Sequence, residues 1–193
     1  MHKTKTIAYL ILAVAMLAGL ACTAEPPAAE PAEEETAAAT EPERVSPHES
    51  TAATVGEANI TITYGRPYKK GREIYGGLVP FAEVWRTGAD EATTLESDRD
   101  LMLGDLHVPA GTYGLFTIPG ESSWTLIVNK VADQWGAFSY DESEDLGREE
   151  MSVSATDAEV EQLTISVEPG EGSNATLSIV WDMTSATLPI MAH

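Results

Sequence analysis

The chain has 193 residues, enough for one ordinary domain with a real core, and is 43% hydrophobic and 22% charged. Eleven Lys and Arg against 31 Asp and Glu give a net charge of −20, which excludes a nucleic-acid partner, because phosphate binding needs clustered cations in excess. A single cysteine excludes an internal disulfide framework, a cysteine zinc site and a CxxC redox centre.

Lys3 and Lys5 precede fifteen apolar residues, Ile7 to Ala21. That run is short of the about 20 residues a membrane-spanning helix needs, and it fits the basic start and apolar middle of a secretory signal over 1–21. It ends at Leu17-Ala18-Gly19-Leu20-Ala21-Cys22. This segment resembles the lipobox of bacterial lipoproteins, with Gly19 in place of the usual branched aliphatic. The resemblance implies lipidation of Cys22, a mature chain that begins there, export, and anchoring to the cell envelope. The membrane that receives the anchor is expected to be the outer one, with the protein on its periplasmic or surface face.

From Thr23 to Thr54 the composition shifts to nine Ala, five Pro and eight Glu with one Arg and one Val. Nothing there offsets the conformational entropy of folding, so 22–54 is expected to be a disordered tether and 55–193 the folded domain. A chain cut near Val55 is accordingly expected to melt within a few degrees of one that keeps the stretch.

Beyond Val55 the apolar pattern is mostly period two, the mark of half-buried strands. Ile60, Ile62 and Tyr64 alternate with threonines, and Tyr113 and Leu115 oppose Phe116 and Ile118. Trp124 to Val128 reads as a strand buried on both faces. Further strands are expected at Thr93–Ser97, Leu101–Leu103, Met151–Ala155, Leu163–Val167 and Ala175–Trp181, with Gly- and Pro-bearing turns between them. Pro80, the i, i+3, i+4 spacing of Phe81, Val84 and Trp85, and Gly88 as a cap predict one short helix. The fold class is therefore all-β, an antiparallel β-sandwich or flattened barrel of about 8–10 short strands with one short helix.

Tyr64-Gly65-Arg66-Pro67, Lys70-Gly71-Arg72, Gly76-Gly77-Leu78-Val79-Pro80 and Val84-Trp85-Arg86-Thr87-Gly88-Ala89-Asp90-Glu91 resemble the N-terminal half of the DUF2911 family. Pro109-Ala110-Gly111-Thr112-Tyr113, Leu115 to Gly120, Asn129-Lys130 and Gln134-Trp135-Gly136 resemble its second half. The resemblance implies a bacterial domain, often secreted or lipid-anchored, of unknown function. The chain departs from the commoner family pattern at Gly65, where serine is frequent, and at Asp90, where asparagine is.

No nucleophile elbow, phosphate loop or dinucleotide fingerprint is present. With His2 in the signal, His48 in the tether and His193 at the end, only His107 is left to the domain. No multi-histidine metal site and no cofactor are expected. Asp141, Glu142, Glu144 and Asp145 lack the spacing of a calcium loop and read as a solvated acidic stretch.

The uneven feature is the placement of cations. Val55–His193 holds eight Lys and Arg against 23 carboxylates, a net −15, yet Arg66, Lys69, Lys70, Arg72 and Arg86 fall within 21 residues. Such a cluster either pairs with internal carboxylates, for instance Arg86 with Asp90 or Glu91, or receives an anionic or polar ligand. Trp85 reads as core or as a stacking platform. The candidate ligand-binding residues are Arg66, Lys70, Arg72, Trp85, Arg86, Asp90 and Glu91. The expected function is a membrane-tethered envelope module binding a polar or anionic ligand such as a glycan. The alternatives are a structural lipoprotein that binds another envelope protein and a small enzyme using paired carboxylates.

Overall fold

The computed structural model describes residues 45–193. The signal segment, Cys22 and the tether as far as residue 44 lie outside the described residues. Nine strands follow in chain order: β1 (His48–Val55), β2 (Ala58–Gly65), β3 (Thr93–Ser97), β4 (Leu101–Leu103), β5 (Leu106–Val108), β6 (Gly111–Ile118), β7 (Ser123–Asn129), β8 (Asp145–Pro169) and β9 (Asn174–Ala192). They form one sheet in the order β1-β2-β3-β6-β7-β8-β9-β4-β5, antiparallel at every step. This is the all-β class expected from the period-two pattern.

The sheet bends over a main core and carries a smaller cluster on its other face. β8 shifts register between Ala155 and Val160 and again before Thr164, so the long β8–β9 pair turns a corner. The last part of β8 thereby comes back to the end of β2, where the Ile165 amide donates to the Tyr64 hydroxyl at 3.0 Å. Ile60, Ile62 and Tyr64 point inward as their alternation predicts, together with Leu95, Leu115, Trp124, Leu126, Leu177, Trp181 and Leu188. On the opposite face Phe116 and Ile127 form a smaller cluster with Ala92, covered by Val84, Ala137 and Tyr140.

Two expectations need correction. The stretch assigned to the tether contains a strand, since residues 48–54 belong to β1 and pair with β2 from His48 opposite Gly65 to Val55 opposite Ala58. An edge strand draws its stability from backbone hydrogen bonds, so its Ala, Thr and Ser side chains carry no apolar pattern to read. The expected helix at 80–88 is also absent. Among the described residues the helical content is one 3-10 turn, Glu142–Glu144. Trp85 exchanges two backbone hydrogen bonds with Thr117, at 2.7 and 2.9 Å, and Ala82 donates to the Pro119 carbonyl. Phe81 is exposed, Val84 packs on the outer cluster and Trp85 on the inner one, so the segment alternates like a strand. Nine residues could not recover the cost of nucleating a helix against that pairing.

Candidate functional site

The segment between β2 and β3 is tied down turn by turn. Thr87, fully buried, has a left-handed backbone (φ 58°), unusual for a β-branched residue. Its hydroxyl lies 3.1 Å from that of Thr117, and its carbonyl accepts from the Thr93 hydroxyl at 3.0 Å. Asp90 is left-handed too (φ 63°), a conformation that Asp and Asn tolerate better than most residues. Ala89 donates to the Gly65 carbonyl, and the Trp85 indole N–H to the Gly88 carbonyl at 3.2 Å. Strain of this kind persists where the surrounding contacts over-determine it.

This segment walls a cleft of about 440 Å³ lined by Tyr68, Lys70, Arg72, Leu78, Trp85, Arg86, Asp90 and Trp181 among others. Five of the seven candidate residues therefore meet in one place: Lys70, Arg72, Trp85, Arg86 and Asp90. Three cations face one carboxylate there, on a domain that is otherwise strongly acidic.

The cations differ in how they are held. Arg72 Nε donates to the Lys69 carbonyl at 2.9 Å and its Nη2 to the Tyr68 carbonyl, which orients the guanidinium without neutralising it. Lys70 has a left-handed backbone (φ 49°), and its amide donates to Glu161 Oε1 at 2.8 Å. Arg86 is half-buried, and its Nε is a buried donor with no hydrogen-bond partner among the described residues. The internal pairing of Arg86 with Asp90 or Glu91 is not formed. Its guanidinium lies against the backbone at Gly136, where an added Cβ would stand 3.7 Å from Nη1.

Two candidates fall outside the cleft. Arg66 pairs with Glu49 at 2.6 Å and donates to the Leu163 carbonyl at 2.9 Å and the Thr164 hydroxyl at 3.0 Å, so it fastens β2 to β8. Glu91 lines a separate shallow hollow of about 400 Å³ with His48, Thr94 and Gln134. Lys69, the fifth cation of the cluster, is bound to Asp182 at 2.7 Å and to Glu159, and these carboxylates hold its ammonium above the ordinary lysine range. Trp85 is a core residue that also lines the cleft, stacked on Trp181 with ring centroids 6.2 Å apart and planes 17° from parallel.

Several residues of these sites come from distant parts of the chain. Trp181 lies on β9, and Tyr68 supplies the exposed aromatic wall. His48, placed in the tether by composition, opens β1 and sits 2.7 Å from Glu91 Oε2. The ligand atoms of His48, Asp90 and Glu91 lie within 4.8 Å of one another. Deeper in the core, the Tyr75 hydroxyl and Trp124 Nε1 are buried without a partner among the described residues, beside a smaller cavity of about 210 Å³. Burial, reinforced by Asp182, pushes the Tyr75 hydroxyl well above the ordinary tyrosine range. The acidic stretch 141–145 is internally used: Asp145 accepts from Tyr140 and Arg148, and Asp141 from Ser143.

No curated protein and no solved structure matches the chain. The family described as "Protein of unknown function (DUF2911)" matches residues 46–190, a span that begins just ahead of β1 and reaches into the last strand. The chain belongs to the DUF2911 family.

Proposed function

We infer that this protein is a binding module for an anionic or polar ligand, with an acidic glycan as the favoured class, received in the cleft of Lys70, Arg72 and Arg86. The observation that carries the reading is Arg86: a half-buried guanidinium with an unpaired donor, facing a cleft whose one carboxylate, Asp90, it does not engage. A carboxylated or sulfated ligand supplies the missing acceptors, and the forked guanidinium suits either. Tyr68 gives an exposed ring on which a sugar face can stack. The reading of a paired-carboxylate enzyme has less behind it: Asp90 and Glu91 come within 4.8 Å of one another, but Asp90 alone of the two lines the cleft.

The test is titration with a uronic-acid oligosaccharide beside its neutral counterpart, followed by tryptophan fluorescence. The acidic sugar should bind, the neutral one bind more weakly, and Arg86→Met should abolish the difference. The same substitution should change the unfolding free energy by no more than about 1 kcal/mol, since no carboxylate loses its partner. A loss of about 3–5 kcal/mol is what stranding a buried carboxylate costs, and it would make Arg86 structural.

The module is tethered through Cys22 to the bacterial envelope. The lipobox-like ending of the apolar run supports this, and several acyl chains hold where one holds only marginally. The mature wild-type chain should partition into detergent with an intact mass that includes acyl groups, and Cys22→Ser should leave it soluble or unprocessed. An acyl-free mature mass refutes the anchor. The reading of an assembly lipoprotein draws on one feature, the loop after β7, which exposes Val131, Trp135 and Phe138. A partner protein would find its apolar anchors there.

A further inference from the structure

We propose that His48, Asp90 and Glu91 bind a divalent transition-metal ion, of which zinc is the probe. The ligand atoms of the three side chains already lie within 4.8 Å of one another. Zinc bonds of about 2.0–2.2 Å to nitrogen and oxygen place two ligands of one ion about 3.4 Å apart in a tetrahedron, so small side-chain rotations suffice. Two carboxylates and one imidazole offer the ion oxygen and nitrogen ligands of the kind zinc takes. The imidazole favours zinc and its neighbours over magnesium or calcium, which prefer oxygen alone. To ligate, Nε2 gives up the contact with Glu91 and its lone pair faces the ion, the ring proton residing on Nδ1.

The ligands are carried by fixed backbone. His48 pairs with Gly65 in the β1–β2 ladder, Asp90 is held by the clamped turn, and Glu91 forms an isolated bridge with Trp135. A second, independent observation points the same way. Gln134, 7% exposed, lines the hollow of His48 and Glu91. Its amide nitrogen donates to Asn129 Oδ1 at 3.2 Å and to the Val131 carbonyl at 2.6 Å, which fixes its orientation. Its Oε1 is buried with no donor among the described residues. A water bound to the ion is a strong donor and supplies that hydrogen bond once the groups covering Oε1 give way, the kind of outer partner that tunes metal sites. The metal site does not depend on the ligand cleft being a cleft for anything; the two share Asp90 alone.

The experiment is calorimetric titration of the full chain, stripped with chelator, with zinc chloride in a large excess of Mg²⁺ to occupy loose carboxylates. One zinc per chain is expected beyond that background. His48→Gln, at an exposed strand position, should weaken this binding at least about tenfold. Asp90→Asn, which keeps a residue tolerant of the left-handed backbone, should do the same. His107→Gln, which removes a histidine–carboxylate pair elsewhere among the described residues, with Asp100, should leave it unchanged. No zinc uptake by the wild type in Mg²⁺, or uptake by His48→Gln equal to wild type, overturns the proposal. So does a loss confined to His107→Gln.

Discussion

Gly65→Ala is expected to lower the unfolding free energy by about 3 kcal/mol, the upper end of the usual cost of overpacking, and to disturb the cleft with it. Gly65 closes β2 at the point where the 86–90 turn leans on it. A Cβ there would stand 2.0 Å from the Ala89 carbonyl oxygen and 2.7 Å from its carbon, and both are backbone atoms that no side-chain rotation can move aside. The contact is mutual, since a Cβ on Gly88 would come within 2.9 Å of the Gly65 oxygen. Relief requires shifting the Ala89 peptide, which lies between left-handed Thr87 and Asp90 in the wall of the cleft that Arg86 also lines. Serine, the residue the resemblance leads one to expect at this position, meets the same carbonyl. Gly71→Ala is the control: its φ is 67° but nothing lies within 4 Å, so it should cost about 1–2 kcal/mol for the backbone alone. Urea unfolding of the two variants separates close approach from conformational preference. Equal losses would mean that the turn is not packed on Gly65 as described.

The strands that the sequence makes legible are those with one face in the core. Thr93–Ser97 and Leu101–Leu103 have the bounds their alternation suggests, and Tyr113 to Ile118 divides between the two apolar clusters as expected. Two kinds of strand escape that reading. β1 buries only Val55 fully, so its stability lies in the ladder to β2 and leaves no mark on side-chain type. The second half of β9 does alternate, through Ala186, Leu188 and Ile190, but Pro189 within it argues against a strand. That proline is tolerated because it is exposed and its carbonyl still accepts from Gly104. The short central run of β8 carries no pattern, so two expected strands at 151–155 and 163–167 are one strand with irregular register between.

The candidate site is legible to the extent that it is local. Lys70, Arg72, Trp85, Arg86 and Asp90 come from one stretch of chain, and an excess of cations in an acidic domain marks them. Which of the clustered arginines is structural is a different matter. Arg66 and Arg86 look alike in sequence, and they differ because Glu49 and the Leu163 carbonyl arrive at Arg66 from strands far along the chain. His48 and Gln134 are invisible for the same reason, each reaching Glu91 through sheet pairing or a backbone bridge.

The chain that begins at Gly56 should melt well below the chain that begins at Val45, contrary to what the composition of the tether suggests. β1 contributes an eight-residue ladder to β2, the buried Val55 and a side-chain bond between Ser50 and Thr63 at 2.8 Å. It also lies against β8 and supplies Glu49 to Arg66, which otherwise holds β2 to β8 with one fewer acceptor. Burial of one valine contributes about 1.5–3 kcal/mol, and each net hydrogen bond about 1 kcal/mol, partly offset by the entropy of ordering the strand. A net loss of about 3 kcal/mol follows, and for a domain of this size that is about 6–12 °C in melting temperature. Loss of the strand also bares the β2 ladder, so the shorter chain should associate at concentrations where the longer one stays monodisperse. Between Thr23 and residue 44 the chain offers no apolar side chain larger than alanine or proline, so starting at Thr23 or at Val45 should give melting temperatures within a few degrees. Differential scanning calorimetry of the three chains locates the boundary. Equal melting of the Val45 and Gly56 chains would show β1 to be energetically idle. A gap between the Thr23 and Val45 chains would instead move the domain's edge further toward Cys22.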